Sequence, residues 1–514
     1  MKSNNTRNKL HALMLIKTCA ALAIVLPLSM MAETTGQVLD IKSERQLFVD
    51  KYIVGKLTDA RLKMHEPRPA GVALRYDAPT EDEYCNFTYV LKDGGVFRMY
   101  YRGRVAPKKG DVGDQTTCYA ESRDAINWIK PNLGLVEVDG SRNNNVILER
   151  AEHNFCPFID TRPGVPASER YKAVMSHGAK VPLRDVVASK RKPEQRVDLR
   201  AFVSADGIRW RLLREESIVH GQFNDNFDGP TAIFWSEAEQ CYVLYARHYE
   251  EKKRSMARAT SKDFLTWTPQ VMMTYSDTGT TIPSVEFYTN QTTPYFRAPQ
   301  IYIALPASYH ENRRVLTESE EGLLELGTLA GRADYISDGL LLTTRPGTTR
   351  YDFVFRESFV RPGIGISHWV SRTNFPGLGI VPTSPREISI YVQRNYAQKS
   401  GYLERLTLRT DGFVSVNAPY DGGEFLTKTI RFKGEALEMN YATGAGGSIR
   451  VEIQDENGAP LPGYSIKDCP EIIGDQITRI VSWKFSSNVS PFAGRPVRLR
   501  FVLRDADLYS FRFR

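Results

Sequence analysis

Acidic side chains recur just ahead of strand-like apolar runs, and they are the first residues in this sequence whose type and place suit proton transfer. Glu81, Asp82 and Glu83 precede the run 86–91, with Glu83 nearest to it, and Asp228-Gly229-Pro230 leads into 231–236. Glu286 comes before Tyr288-Thr289-Asn290, and Glu387 stands directly ahead of 388–392. Between the first and second of these sites the comparable place holds His153-Asn154, with Asp160 further along. Two carboxyl groups in unlike surroundings can divide acid and base work, because burial and neighbouring charge push their pKa values apart. Each acid also has a plainer reading: Glu83 as a solvated loop residue, Asp228 before Gly-Pro and Asp160 before Thr-Arg-Pro-Gly as turn formers.

Other side chains add recognition chemistry. His153, His248 and His368 are singletons, able to donate or accept a hydrogen bond but equally at home as structural residues. Arg297, next to Ala-Pro, presents a planar fork that suits a carboxylate or sulfate, and suits an internal ion pair as well. Tyr84, Trp235, Tyr288 and Trp369 offer flat faces for stacking, although most such rings pack between sheets. No Rossmann, P-loop, G-x-S-x-G or H-E-x-x-H pattern occurs, and no cysteine pair has metal-ligand spacing.

What must position these residues is a degenerate repeat. Residues 122–128, 204–210 and 261–267 all spell S-x-D-x-x-x-W, and weaker echoes stand at Ser337-Asp338-Gly339 and Thr410-Asp411-Gly412-Phe413. Ser and Asp side chains bond their own backbone to make a tight turn, and the Trp anchors the strand that follows. Pairs of strand-like runs lie upstream, such as 86–91 with 96–101 and 231–236 with 241–247. Five such units predict an all-β fold, a five-bladed β-propeller over 33–420. Closer-spaced strands after Tyr420-Asp421-Gly422-Gly423 predict a C-terminal β-sandwich over 421–514. The best helical candidate is short, around 318–329.

Totals bound the function. The chain has 514 residues, with 24 Phe and 25 Tyr to furnish strand faces, and is too long for one small core. A formal charge of +8 arises from 68 basic against 60 acidic residues, a mixed surface without the concentrated stripe that nucleic-acid binding needs; an anionic polysaccharide fits it. The densest basic stretch, Lys190 to Lys192 with Arg196 and Arg200, is short. Residues 1–32 read as an export signal, with Lys2, Arg7 and Lys9 ahead of an apolar run and Ala32 at the cut, which predicts a secreted or periplasmic product with no membrane span in its mature form. The five cysteines then remaining, Cys85, Cys118, Cys156, Cys241 and Cys469, are too scattered for a disulfide framework.

Several segments together resemble the five-bladed propeller glycoside hydrolases of families 32, 43 and 117: Leu47-Phe48-Val49-Asp50, 97–103, Pro157-Phe158-Ile159-Asp160, Glu169-Arg170-Tyr171-Lys172, Arg297-Ala298-Pro299 and 505–511. In those families three carboxylates from the innermost strands meet over an axial pocket as base or nucleophile, as transition-state stabiliser and as acid. The resemblance therefore implies a hydrolase of poly- or oligosaccharides, exo-acting, with catalytic candidates Glu83, Asp228, Glu387, Glu286 and Asp160. It implies substrate contacts from His153, Asn154, Arg297, His368, Trp235 and Tyr288. No cofactor is required, and the fold leaves room for a structural Ca²⁺. The family 32 fingerprints W-M-N-D-P-N-G, R-D-P and E-C are absent, which removes sucrose and fructan as expected substrates. Three alternatives stay open: a carbohydrate-binding propeller without catalysis, a glycoside phosphorylase, and a sialidase, although no three arginines share a repeat-linked spacing.

Overall fold

The Ser/Asp turns fold as their spelling predicts. The computed structural model describes residues 38–106, 114–151, 154–177, 197–222, 227, 229–327 and 333–514, so residues 1–32, where an export signal is expected, and Lys190 to Lys192, Arg196, His153 and Asp228 lie outside the described residues. In the first turn Ser122 Oγ accepts from the Asp124 and Ala125 amides at 3.2 and 2.9 Å, and Asp124 Oδ1 from those of Ile126 and Asn127 at 2.8 Å each. The same bonds recur around Ser204/Asp206 and Ser261/Asp263. The residue after each aspartate is left-handed: Ala125, Gly207 and Phe264 have φ of 60°, 73° and 72°. Trp210 and Trp267 close the turn by donating to the Gly207 and Phe264 carbonyls. The two echoes differ: Asp338 accepts from Ser308 and Ser358, and Asp411 is buried among Tyr295, Ser510 and Arg297.

Between these turns the chain lays down antiparallel sheets in sequence order. The first holds Asn86–Asp93, Val96–Ala106, Asp114–Ser122 and Val146–Ala151; the second Cys156–Ile159, Tyr171–His177, Asp198–Ser204 and Arg211–Leu212, with Val219–His220 at its side. The third holds Ala232–Ser236, Cys241–Glu250, Lys253–Ser261 and Val271–Met272. The fourth is split, Thr293–Tyr295, Ala298–Ala304 and Leu342–Thr344 pairing apart from Glu286–Phe287, Ser308–Glu311 and Tyr335–Ile336. The fifth joins Phe375–Pro376, Glu387–Arg394 and Tyr402–Arg409 to Arg68–Arg75, a strand from far upstream. The sole α-helix among the described residues, Glu318–Leu323, falls in the predicted helical stretch and starts at a Thr317/Glu320 capping box.

Aromatic packing welds each sheet to the next. Tyr89, Tyr100, Phe155, Phe158, Trp235 and Tyr242 fill the seams of the first three sheets. Tyr245, Tyr275, Tyr302 and Tyr351 join the third to the fourth, and Tyr288 with Phe375 the fourth to the fifth. The fifth returns to the first through backbone bonds, Val90 N–H to the Leu378 carbonyl at 2.7 Å and Leu378 N–H to that of Thr88 at 2.8 Å. Glycine is needed there: a Cβ on Gly379, whose φ is 127°, would lie 2.3 Å from the Val90 carbonyl oxygen. The result is a propeller-type succession of sheets, with the first strand of each innermost.

Apart from two short parallel pairs, Leu39–Lys42 with Ile430–Phe432 and Thr274–Tyr275 with Arg350–Tyr351, most of the remaining strands form one eight-stranded sheet that includes Leu437–Gln454 and Arg498–Phe513, whose pairing is interrupted between Thr443 and Ser448. Phe425, Phe432, Phe501, Phe511 and Phe513 are buried in its core. Gln46–Leu47, Val54–Thr58, Arg61–Met64 and Val414–Ala418 belong to the same sheet, so its members begin before residue 420 as well as after it. The segment around Asp50 thus serves this sheet, and ring closure falls to Arg68–Arg75. The five described cysteines, Cys85, Cys118, Cys156, Cys241 and Cys469, are buried and free. No described helix is long and apolar enough to cross a membrane.

Candidate functional site

Each inner strand is approached through a non-glycine residue in the left-handed region: Phe87, Asn154, Phe227, Gln291 and Arg372, with φ of 56°, 50°, 63°, 55° and 59°, and Asn374 at 65°. Such conformations cost energy and persist where surroundings or function impose them. Five at equivalent places mark one end of the inner strands as special.

Contacts between sheets bring these strand starts together. Phe87 shares a narrow, tightly packed crevice with Pro230, Ala232, Gln291 and Leu378, which come from the third, fourth and fifth sheets. A second crevice, with an accessible volume of about 10 Å³, room for one water molecule, opens between the first two sheets and is lined by Phe87, Tyr101, Arg102, Gln115, Thr116, Thr117, Asn154 and Phe155. Asn154 is 6% exposed, and neither its oxygen nor its nitrogen has a hydrogen-bond partner among the described residues. Asn86 Nδ2 is likewise buried and unpartnered, its Oδ1 being taken by the Phe87 amide at 2.7 Å.

Around this end runs an alternation of arginine and tyrosine. Arg102 donates to the Tyr84 carbonyl at 2.8 Å and to the Tyr396 hydroxyl at 3.0 Å, with its guanidinium 4.6 Å from the Phe87 ring centre. Arg372 faces Tyr288 at 5.6 Å. Burial works against its charge, but the hydroxyls of Tyr288, Tyr396 and Tyr309 hold its pKa above the ordinary value. Arg247 and Arg254 stand 4.9 and 5.1 Å from the Tyr288 ring, and Arg247 donates to the Tyr288 carbonyl at 3.0 Å. Glu286 pairs with Arg254 at 2.6 Å. Arg102 and Arg372 have no carboxylate within ion-pair distance among the described residues. Burial raises the pKa of the Tyr309 hydroxyl, the wrong direction for a nucleophile.

The sequence-predicted residues divide accordingly. Glu83, Asn154, Glu286 and Tyr288 stand at this end. Glu83 is half-buried, its carbonyl bonded to the Ala397 amide at 2.8 Å; a Cβ on Gly327 would fall 2.2 Å from the Tyr84 hydroxyl and 3.2 Å from Glu83 Oε1. Asp228 lies outside the described residues, but Gly229 beside it abuts Arg247 and the Tyr288 carbonyl. His368 sits behind, its Nδ1 donating to the Pro362 carbonyl at 2.7 Å; burial and Arg394 lower its pKa.

Four expectations give way. Asp160 follows the far end of its inner strand and forms a buried ion pair with Lys172 at 2.8 Å, capped by the Tyr242 hydroxyl at 2.6 Å. Glu387 starts the second strand of its sheet, opposite Ser384 and so at the far end, where Thr383 and Arg405 hold it. Trp235 packs edge-on against Tyr242 at 5.0 Å inside a seam. Arg297 pairs with Asp411 at 3.1 Å, beside Arg45, at the junction with the C-terminal sheet.

The sequence carried a signal that a search for acids passes over. Asn86-Phe87, Asn154-Phe155, Asn226-Phe227, Asn290-Gln291 and Asn374-Phe375 put an asparagine at every inner-strand start. At Asn154 and Asn374 the asparagine itself is left-handed, as its type tolerates, whereas at Phe87, Phe227 and Gln291 the residue after it is. Among the described residues no group of three His, Cys, Asp or Glu could hold a metal ion.

No family model matches the chain, and no curated protein matches it. Solved structures of similar chain path include one described as a glycoside hydrolase, at 12% identity and TM-score 0.43, covering 66% of this chain and 92% of its own. A second is an N-acetylgalactosamine deacetylase from F. plautii in complex with blood group B trisaccharide, at 10% identity and TM-score 0.42, covering 68% and 96%. A third is a GH32 β-fructofuranosidase from Bombyx mori, at 9% and 0.37, covering 88% and 94%. At these values no activity is transferred from them, and the functional reading rests on the site's own chemistry.

Proposed function

We propose that this chain is an exported glycoside hydrolase that draws the end of a poly- or oligosaccharide into the cleft where the inner strands begin. One observation carries the reading: the unpartnered Asn154 and Asn86 amides, the tyrosine rings and Glu83 are gathered at the one end where five corners of backbone are held left-handed. Amides that lack partners when the cleft is empty gain them from hydroxyl groups, and flat rings suit the apolar faces of sugars. Glu83 and Asp228 are assigned as the working carboxyl pair, and Glu286, held by Arg254, as the stabilising third acid. Separation of the pair near 5 Å would retain anomeric configuration, and a wider one would invert it.

A second reading, a binding propeller without catalysis, is favoured by one feature: Glu286 is already engaged by Arg254, and amides and rings line the cleft. Release of reducing ends from a library of plant and algal oligosaccharides separates the two. Hydrolysis predicts turnover by the natural protein and a loss of at least about a hundred-fold in Glu83→Gln and in Asp228→Asn, with melting temperature unchanged. Saccharide binding without turnover selects the binder, and full activity in both variants removes Glu83 and Asp228 from the mechanism.

A further inference from the structure

Two guanidiniums beside one tyrosine, Tyr396, are the least explained feature of this end of the molecule. Arg102 engages the Tyr84 carbonyl through Nε and Nη2 and the Tyr396 hydroxyl through Nη2, while its Nη1 is bonded to no described residue. Arg372, beside the same tyrosine, is surrounded by Tyr288, Tyr309 and Tyr396 and adopts a left-handed backbone that a bulky side chain avoids. Neither has a carboxylate partner among the described residues, in a protein where many other arginines do, Arg45, Arg98, Arg297, Arg345 and Arg405 among them. Withdrawing charge from water without a counter-ion is costly, and a planar fork is the group best suited to receive two oxygens at once. Arg102 also lines the small crevice that holds the Asn154 amide, which has no hydrogen-bond partner among the described residues and is a second, independent sign of a polar ligand.

Resting on the glycan reading above, we infer that Arg102, which shares its crevice with Asn154, and Arg372, which shares Tyr396 with it as a neighbour, form an oxyanion-binding subsite for a carboxylate or sulfate carried by the sugar, or for free inorganic phosphate. The aromatic rings leave the guanidinium edges as the donors, and the Asn154 amide adds a donor and an acceptor for the hydroxyl next to the anion. Arg254 is committed to Glu286 and is not part of the subsite.

Calorimetric titration tests this without needing turnover. The probes are a galacturonate oligosaccharide, a sulfated galactan oligosaccharide, the carboxyl-reduced or desulfated counterpart of each, and inorganic phosphate, all at one ionic strength. The subsite predicts that a charged probe binds about ten-fold or more tighter than its neutral counterpart. Arg102→Gln should erase that advantage, and Arg372→Lys, which keeps the charge but loses the fork, should erase part of it. Thermal melts of both variants check that they remain folded. A preference for a charged saccharide assigns the anion to the sugar; phosphate binding that Arg102→Gln abolishes, with no such preference, assigns it to free phosphate. Neutral saccharides binding as well as charged ones, with phosphate unbound, overturns the subsite and leaves the glycan reading standing. Phosphate binding with no saccharide bound keeps the subsite and sinks the glycan reading. Binding of no probe at all, or a charge preference indifferent to Arg102→Gln, also overturns the subsite.

Discussion

Asp160 and Asn154 lie six residues apart in sequence, and the difference between them is where each sits along one inner strand. Asp160, past the far end, is sealed with Lys172 and Tyr242. Breaking a buried pair leaves an uncompensated charge, so Asp160→Asn should destabilise by about 3 kcal/mol while the folded fraction keeps its saccharide binding and turnover. Thermal melts read alongside activity per folded molecule check this; lost activity at unchanged stability would restore Asp160 to the site. Asn154 should behave in the opposite way. Its left-handed backbone suits glycine and its amide is unpartnered, so Asn154→Gly should change stability by no more than about 1 kcal/mol yet weaken saccharide binding. At this scale the sequence was half legible. Glu83 and Asn154 were singled out because they precede strands, but an acid ahead of a strand looks the same whether that strand is innermost, as for Glu83, or second in its sheet, as for Glu387.

Elements are held in register by local turns and by seams between sheets, and these differ in legibility. The Ser/Asp turn was readable because all of its bonds fall within seven residues. The arginine and tyrosine belt was not, since Arg102, Arg254 and Arg372 come from three sheets and share no spacing; only the repeated asparagine hinted at the corners they surround. Seams respond to pH. Asp93, at the end of its inner strand and held by Arg98 of its own sheet, ties the first sheet to the second through Arg170 and Tyr171. Burial opposes its ionisation, but those donors prevail and bring its pKa from 3.8 down to about 2. A depressed carboxyl stabilises the fold above its unfolded pKa and loses that contribution as pH falls through the folded one. Natural protein should therefore be more stable than Asp93→Asn at neutral pH, with the gap closing between about pH 4 and pH 2 in denaturant titrations. A gap that stays constant across that range would mean that the seam does not depend on this charge.

On the scale of the whole molecule, chain ends do the closing. Arg68–Arg75 completes the fifth sheet, and strands from 46 to 64 join the C-terminal one, so the propeller and the C-terminal sheet share both halves of the sequence. Strand-rich composition and the repeat announced an all-β fold, but a strand pairing with a partner more than 300 residues away leaves no local mark. This closure sets Tyr84 and Arg102 of the first sheet against Tyr396 of the fifth, beside the starts of the inner strands. The most direct test of that claim is amide hydrogen exchange with and without a saturating oligosaccharide that the titrations show to bind. Slower exchange is predicted at 84–87, 101–102, 115–117, 154–155, 288–291, 372–374 and 396–397, all at the starts of the inner strands and the turns beside them. Protection confined to the C-terminal sheet, or to the far ends where Asp160 and Glu387 lie, would contradict the account.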